Sequence, residues 1–206
     1  MVRDGIYYAL GLTAAGFLVG YLAGPLFGLP LYLLAAFCLY FFRDPDRVVP
    51  AGPVAVSPAD GKVVAVLDSV AVLDSVQNMR VSIFLNIFDV HVNRSPIAGK
   101  ITKIQYQKGK FVNAAHQAAS SGNEQNILTV EGDGTRVVFS QIAGLIARRI
   151  VCYKKQGDMV EKGERIGLIK FGSRVDVFFG PDWEVTVSPG ERVLCGSSIL
   201  ARRKQD

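Results

Sequence analysis

A glycine–serine pair between two apolar segments is the first place where this sequence could do chemistry on itself. Residues 166–171 and 175–179 favour β-strands, and Gly172-Ser173 lies between them. Glycine has no Cβ, so Gly172 can adopt a left-handed backbone and leaves its carbonyl open to approach. If a base removes its proton, the Ser173 hydroxyl can attack that carbonyl. The alternative interpretation is a small-residue turn between two strands.

One of the two histidines lies in a setting that suits acid–base chemistry. His91 is part of the largely apolar run 81–92, where strand alternation places Asp89, His91 and Asn93 on one face. Such a histidine is either a satisfied core group or a base placed in a cleft. His116 lies in an alanine-rich stretch that we expect at the surface. His91 is therefore the candidate base.

A carboxylate is available as its partner. Asp60 stands in the turn sequence Pro58-Ala59-Asp60-Gly61, where turn chemistry alone explains an aspartate before glycine. The functional alternative is a carboxylate that orients a base. Ser173, His91 and Asp60 would then form a Ser-His-Asp set, which is defined by geometry rather than by order in the chain. The sequence contains no Gly-x-Ser-x-Gly, Walker, His-Glu-x-x-His or Cys-x-x-Cys motif.

The composition indicates a basic chain with an unusual apolar content. Of 206 residues 50% are hydrophobic, and the formal net charge is +5. That length allows one good core with an appendage. A basic balance suits nucleic acid or anionic lipid, and beside a membrane segment lipid is the more economical partner. The scattered Cys38, Cys152 and Cys195 favour a reducing compartment and small buried thiols over a disulfide framework.

The N-terminal region predicts a membrane anchor. No charged residue occurs between Asp4 and Arg43, and a turn cluster at 24–30 divides the run into 5–23 and 26–42. Each part approaches the roughly 20 residues that cross a bilayer. Flanking arginines favour a helical hairpin with both ends on the cytoplasmic side. The alternative is one long or kinked helix, which would place the rest of the chain across the membrane.

After a polar linker at 43–50, the pattern predicts a mainly β domain. Short apolar runs alternate with Gly, Pro, Asn and Asp, which is typical of β folds. The run 156–167 is echoed by 189–200, each with Gly, acid, Val, Gly and Ile at matching positions. This unit is typical of a barrel-sandwich hybrid. A second repeat, 65–70 copied at 71–76, lengthens a strand-loop region. We expect an anchor at 1–42 and a catalytic domain at 43–206.

Together these residues resemble the phosphatidylserine decarboxylases, in their short prokaryotic form. The resemblance rests on motifs that extend from the anchor to the C-terminal region: 41–45, 57–62, 89–96, 109–113, 123–126 and 171–174. It implies a proenzyme that cleaves itself between Gly172 and Ser173. His91 would serve as the base and Asp60 as its orienting carboxylate.

The resemblance also implies the cofactor and the partners. Ser173 would become a pyruvoyl group that forms a Schiff base with the serine headgroup, without a metal, and carbon dioxide would leave to give the ethanolamine lipid. The substrate would be phosphatidylserine or an archaeal ether-lipid analogue in the cell membrane, and nucleic acid would not be a partner. The chains 1–172 and 173–206 would stay associated, and a homodimer is one open arrangement.

Two departures from longer family members leave roles open. Phe-Gly-Ser-Arg replaces Leu-Gly-Ser-Thr at 171–174, and Arg94 replaces the second histidine of a His-x-x-His pair. His91 can therefore serve cleavage, decarboxylation or both. Scattered basic residues suit anionic headgroups or form ordinary solvated surface; they are Arg148, Arg149, Lys154, Lys155, Arg202, Arg203 and Lys204.

Two non-catalytic interpretations compete with this one. A membrane-anchored, lipoyl-like adaptor would explain the anchor and the repeats but not the Gly-Ser junction. A lipoyl or biotin carrier would need a modified lysine at a hairpin tip, for which Lys62 is the one weak candidate.

Overall fold

The computed structural model describes residues 1–72, 75–110, 119–145, 149–170 and 172–204. Two compact units follow each other along the chain, Met1–Asp46 and Arg47–Asp206. His116, Arg148 and Phe171 lie outside the described residues, so the predictions made for them stay predictions.

The first unit is a pair of apolar helices, as the sequence predicts. Helix α1 spans Arg3–Ala23 and α2 spans Pro25–Phe41. The Val2 N–H donates to the Phe42 carbonyl at 3.0 Å, which closes the open end of a hairpin. A Cβ at Gly28 would lie 2.5 Å from the Gly16 carbonyl oxygen, so only glycine allows this close helix contact.

The turn of the hairpin is narrower than the cluster at 24–30 predicts. Only Gly24 separates the helices, and Pro30 lies inside α2. Pro25 occupies the first turn of α2, where no N–H is required for a helical hydrogen bond. Of the described helices, Arg3–Ala23 is long and apolar enough to cross a bilayer. The alternative of one long or kinked helix does not fit, because two helices separated by Gly24 bring Val2 next to Phe42.

The second unit is mainly β, which confirms the predicted fold class. Its one described helix, α3, is Ala119–Gly122. The described strands, β1 to β14, are Val54–Val56, Gly61–Val72, Ser75–Leu85, Val92–Arg94, Gly99–Gln107, Gln125–Gly132, Thr135–Ala143, Ile150–Cys152, Met159–Val160, Arg165–Ile169, Ser173–Phe179, Trp183–Val185, Arg192–Val193 and Ile199–Arg203.

These strands form one large curled sheet and two small ones. The large sheet has the order β13-β2-β3-β11-β7-β6-β5-β9, and the small sheets are β1-β14-β12 and β4-β10-β8. Strand β11 lies between β3 and β7 and is antiparallel to both. All seven of its residues are buried. The strand that begins at Ser173 is therefore at the centre of the fold.

The two predicted sequence repeats have structural counterparts. The copies at 156–167 and 189–200 each contain a two-residue strand, β9 or β13, and end inside a five-residue strand, β10 or β14. The described residues of the duplication lie in β2 (65–72) and at the start of β3 (75–76), and these two strands pair antiparallel. Lys62 lies within this sheet, opposite Arg192 and Phe84, and not at a hairpin tip. A carrier domain needs its modified lysine at such a tip, so Lys62 does not fit that role.

Strand β11 buries an ion pair on the face opposite Ser173. The Arg174 Nε donates to Asp176 Oδ1 at 2.6 Å, and its Nη2 donates to Ser82 Oγ at 2.6 Å. The side chains of Arg174 and Asp176 are 0% and 1% exposed. A buried charge is tolerated only when it is paired and hydrogen-bonded. Each member of this pair therefore depends on the other.

We predict that Arg174→Met lowers the free energy of unfolding by about 3–5 kcal/mol, because the buried Asp176 loses its hydrogen-bonded partner and keeps the more distant Arg80 Nε at 4.0 Å. Urea denaturation of the full chain in detergent micelles measures the change. The double variant Arg174→Met/Asp176→Leu removes both charges and should recover most of the loss. A cost for the single variant no larger than that of the double variant would contradict this account.

Candidate active site

Ser173 is the first residue of β11 and points into the core. It pairs with Leu85 of β3 and Ala143 of β7, and it is fully buried. Its Oγ makes no hydrogen bond within the described part of the chain. Buried hydroxyls normally have a partner, so an orphan is a marker of strain or of chemistry. The alternative interpretation, a small-residue turn at Gly172-Ser173, is wrong for Ser173, because this residue is already part of strand β11.

Gly172 precedes that strand with a left-handed backbone. Its φ is +62°, and a Cβ built there would meet nothing within 4 Å among the described atoms. Backbone conformation rather than space therefore favours glycine at this position.

His91 lies against the Gly172 peptide. The Gly172 N–H donates to His91 Nε2 at 3.3 Å, and His91 Nδ1 lies 2.9 Å from the carbonyl oxygen of Asp89. A carbonyl can only accept and a backbone N–H can only donate, so Nδ1 carries the proton and Nε2 presents its lone pair. His91 is 2% exposed. The structure thus brings together a buried neutral imidazole and the Gly172-Ser173 segment.

A tight turn between β3 and His91 fixes the histidine. Asn86 Oδ1 accepts from the Phe88 N–H at 2.8 Å, and Asp89 Oδ2 accepts from the Asn86 N–H at 2.9 Å. The other Asp89 oxygen accepts a hydrogen bond from Arg192. Asn and Asp side chains stabilise turns in this way. Asp89 therefore supplies both the turn and, through its carbonyl, the contact with the imidazole; sequence alternation alone did not assign it that role.

Asp60 is held by groups that the sequence did not indicate. Its carboxylate accepts from Arg47 Nη2 at 2.8 and 3.1 Å and from the Cys195 N–H at 2.7 Å. Asp60 is 6% exposed. Arg47 belongs to the predicted polar linker, and no motif joins it to residue 60. The role of Asp60 as orienting carboxylate stays a prediction.

The Pro58 carbonyl connects the Asp60 turn to the strand after His91. It accepts from the Arg94 N–H at 3.0 Å, from Asn93 Nδ2 at 3.3 Å and from Cys195 Sγ at 3.2 Å. Burial, followed by the negative charge of Asp60, raises the pKa of the Cys195 thiol above its ordinary value. The thiol therefore stays protonated and donates. In this way the chain segments around Asp60 and His91 are fastened together.

A row of buried side-chain amides extends from Asn93 to strands β7 and β6 of the large sheet. Gln141 Nε2 donates to Asn93 Oδ1 at 2.9 Å, and Asn126 Nδ2 donates to Gln141 Oε1 at 3.1 Å. Asn93 and Gln141 are fully buried. Asn93 and Asn126 belong to motifs noted in the sequence, whereas Gln141 carried no signal there. Satisfied buried networks of this kind hold a core in one arrangement.

Arg94 is joined to the turn that contains Asp60, since its N–H donates to the Pro58 carbonyl. It is 7% exposed, and its Nη1 donates to the Gly163 carbonyl at 3.1 Å.

The predicted basic residues do not form one surface: Lys154 pairs with Glu164, and Arg203 donates to Asp133 in the β6–β7 turn, at the end of the sheet away from Ser173. No cluster of three potential metal ligands occurs among the residues that the structure describes.

Comparison with known proteins now adds to this geometry. A family model described as "Phosphatidylserine decarboxylase" matches residues 34–201. A "Phosphatidylserine decarboxylase proenzyme" of Solibacter usitatus (strain Ellin6076) is 66% identical over 203 residues, which cover 98% of this chain and 97% of that protein. A protein of the same name from Magnetococcus marinus (strain ATCC BAA-1437 / JCM 17883 / MC-1) is 50% identical over 178 residues, covering 84% of this chain and 81% of the relative.

We predict that iodoacetamide alkylates Cys195 at least about 100-fold more slowly than Cys152 in the folded chain, because only thiolates react and the Cys195 thiol is buried and protonated. Peptide mapping by mass spectrometry after timed labelling measures both sites. Cys152 is half-buried and is the matched control. In urea both should react at similar rates. Equal rates in the folded protein would contradict the packing described around Pro58.

Proposed function

The chain belongs to the phosphatidylserine decarboxylase family, and from this we propose that it is a proenzyme that cleaves itself between Gly172 and Ser173 and uses a pyruvoyl group made from Ser173. The observation that carries the proposal is a buried serine hydroxyl, unpartnered within the described chain, next to a glycine whose N–H meets His91. Membership of a decarboxylase family leaves the adaptor alternative without support.

His91 is the proposed base of the cleavage step. Its Nε2 carries a lone pair, and the Gly172 N–H holds that nitrogen beside the scissile segment. Ser173 is the next residue, so its hydroxyl needs only a local movement to reach the imidazole. A positioned base of this kind contributes about 10²–10⁴ in rate.

The cleavage balances without any external reagent except water. Ser173 Oγ bonds to the Gly172 carbonyl carbon and gives its proton to His91; the bond from that carbon to the Ser173 nitrogen breaks, and the nitrogen takes the proton. The ester then loses its Cα proton and the Gly172 carboxylate, which leaves dehydroalanine. Its imine tautomer takes up water and releases ammonia, and the remaining ketone is the pyruvoyl group.

Asp60 is proposed to position His91 indirectly, through the turn 58–61 that contains Asp60. Arg47 and Cys195 fix the carboxylate, and the Pro58 carbonyl of the same turn accepts from Asn93 and Arg94, which follow His91. Movement of this turn would therefore move the imidazole relative to Gly172.

The described residues fit a pyruvoyl group at position 173. The site is buried between Leu85 and Ala143, which shields a reactive ketone from bulk water, and His91 supplies a nearby proton carrier. A carbonyl group of this kind would supply an electron sink for the amine of a serine headgroup during loss of carbon dioxide. His91 is proposed to hold the proton that returns to the headgroup carbon. Phosphatidylserine and its ether-linked analogue share this headgroup.

The two chains are proposed to remain associated after cleavage. Strand β11 would belong to the shorter chain, and its seven residues pair with β3 and β7 of the longer one. Strand β14 of the shorter chain likewise pairs with β1. Loss of one peptide bond removes none of these contacts.

The helical hairpin is the proposed membrane anchor. Arg3 begins α1 and Arg43 follows α2, and basic residues near the ends of membrane helices favour the cytoplasmic side. We therefore propose that both helix ends, and the catalytic unit that follows, lie on the cytoplasmic face of the cell membrane.

Ser173→Ala should abolish cleavage and decarboxylation, because no hydroxyl remains to attack Gly172. A denaturing gel with intact mass should give two chains for the parent protein and one chain for the variant. Ser140→Ala is the matched control, since Ser140 is also buried without a described partner, on the other face of the neighbouring strand. An intact parent chain of 22.3 kDa with full activity would refute the proposal.

His91→Ala should slow cleavage by about 10²–10⁴, the usual contribution of a general base. Imidazole added to the purified precursor should restore part of the rate, because the deleted ring leaves a cavity beside Gly172. The Ser173→Ala precursor should show no such rescue. Cleavage of the His91 variant at the parental rate would exclude the histidine as base.

A further inference from the structure

Exposed apolar side chains collect at the end of the sheet where Ser173 begins its strand. Ser173 pairs with Leu85 and Ala143, so the chain leaves β3 and β7 at this end. The residues that follow are Ile87, Phe88 and Leu145, which are 38%, 60% and 63% exposed. Side chains of this kind are usually buried when they serve only the core.

A fourth apolar side chain reaches the same end from another strand. Val193 pairs with Gly61, and the next residue of β2, Lys62, pairs with Phe84 near the end of β3. Leu194, which follows Val193, therefore lies at the same end and is 48% exposed. We call Ile87, Phe88, Leu145 and Leu194 the apolar rim.

Basic side chains accompany the rim. Lys62 and Arg149 are exposed, and so is Arg192, although it forms an ion pair with Asp89. Arg192 pairs with Lys62 across β13 and β2, and the Arg149 carbonyl accepts from the Lys170 N–H, shortly before Gly172. Cations next to exposed apolar groups suit a surface that is apolar inside and anionic at its boundary.

We propose that the apolar rim inserts into the bilayer surface and opens the buried Ser173 site directly toward lipid headgroups. The inference rests on the proposed function in one respect, that the substrate is a two-chain phospholipid. The headgroup must reach a residue that is fully buried, while removal of the acyl chains into water would carry a large hydrophobic cost. Insertion of the rim lets the headgroup enter the site while the chains stay in the membrane.

Brominated lipids test the location of the rim. The full chain with Phe88→Trp is placed in bilayers whose acyl chains carry bromine, and tryptophan quenching is compared with that of Met159→Trp. Met159 is 70% exposed but lies on β9, which pairs with Gly99 and Lys100 at the other end of the sheet. The one native tryptophan, Trp183, is 4% exposed and gives the baseline.

We expect bromine to quench the tryptophan at position 88 by at least about half and to leave the one at position 159 at baseline. Equal quenching of the two variants, or none at position 88, would overturn the proposal. If a second protein copy or a partner protein covered the rim instead of lipid, the tryptophan at position 88 would not be quenched.

Kinetics separate the rim from the chemistry. Activity is measured on phosphatidylserine in vesicles and on a short-chain, monomeric phosphatidylserine in solution. The variant Phe88→Asp/Leu145→Asp should lower the vesicle-to-monomer ratio of kcat/KM by about tenfold or more, whereas Met159→Asp should keep the parental ratio. An unchanged ratio for the rim variant would overturn the proposal. A parent protein inactive on both substrates would instead overturn the proposed function, and quenching would still report on the rim.

Discussion

The backbone pairing of β11 with β3 and β7 is the constraint on which the rest of the catalytic unit depends. It fixes the register of seven residues on both sides. Because side chains alternate along a strand, this register places Ser173 toward the core and Arg174 toward the other face. A shift by one residue would bury the arginine among apolar groups and move the hydroxyl away from His91.

Polar groups carry much of the specificity of this interior. The Asn93–Gln141–Asn126 row, the Pro58 carbonyl with its three donors and the Arg174–Asp176 pair are all nearly free of solvent contact. Each group would be costly if it lost its partner. The apolar core can tolerate exchanges of similar volume, but these contacts admit few alternative arrangements around residues 91 and 172.

The sequence predicted the fold class because its signals were local. Uncharged helices, strand alternation and the repeated Gly-acid-Val units each follow from neighbouring residues, and the helix pair and the mainly β domain confirm them. The same kind of reasoning found Ser173 and His91, since a Gly-Ser junction and a histidine in an apolar run are visible in a short window, although His91 lies between β3 and β4 and not in the expected strand. The strand alternation expected through Asp89, His91 and Asn93 was wrong because the side chains of Asn86 and Asp89 close a turn directly after Leu85.

Long-range contacts lay beyond that reasoning. Arg47 reaches Asp60, Arg192 reaches Asp89 and Cys195 reaches Pro58 across long stretches of sequence. Nothing in the composition of the linker or of the last repeat indicates these partners, because they are set by the sheet order. The same applies to the apolar rim, whose members belong to three separate connections and reach the same end of the sheet only after the strands have paired.

The contact between Cys195 and the Asp60 turn also bears on when the proposed self-cleavage could take place during synthesis. Residue 195 lies near the C-terminal end of the described chain, and β14, which pairs with β1, follows it. While these residues are still inside the ribosome, the surroundings of Gly172 are incomplete. If the chain cleaves itself as proposed, a nascent chain would thereby be protected from premature scission, and the appearance of two chains would follow completed folding.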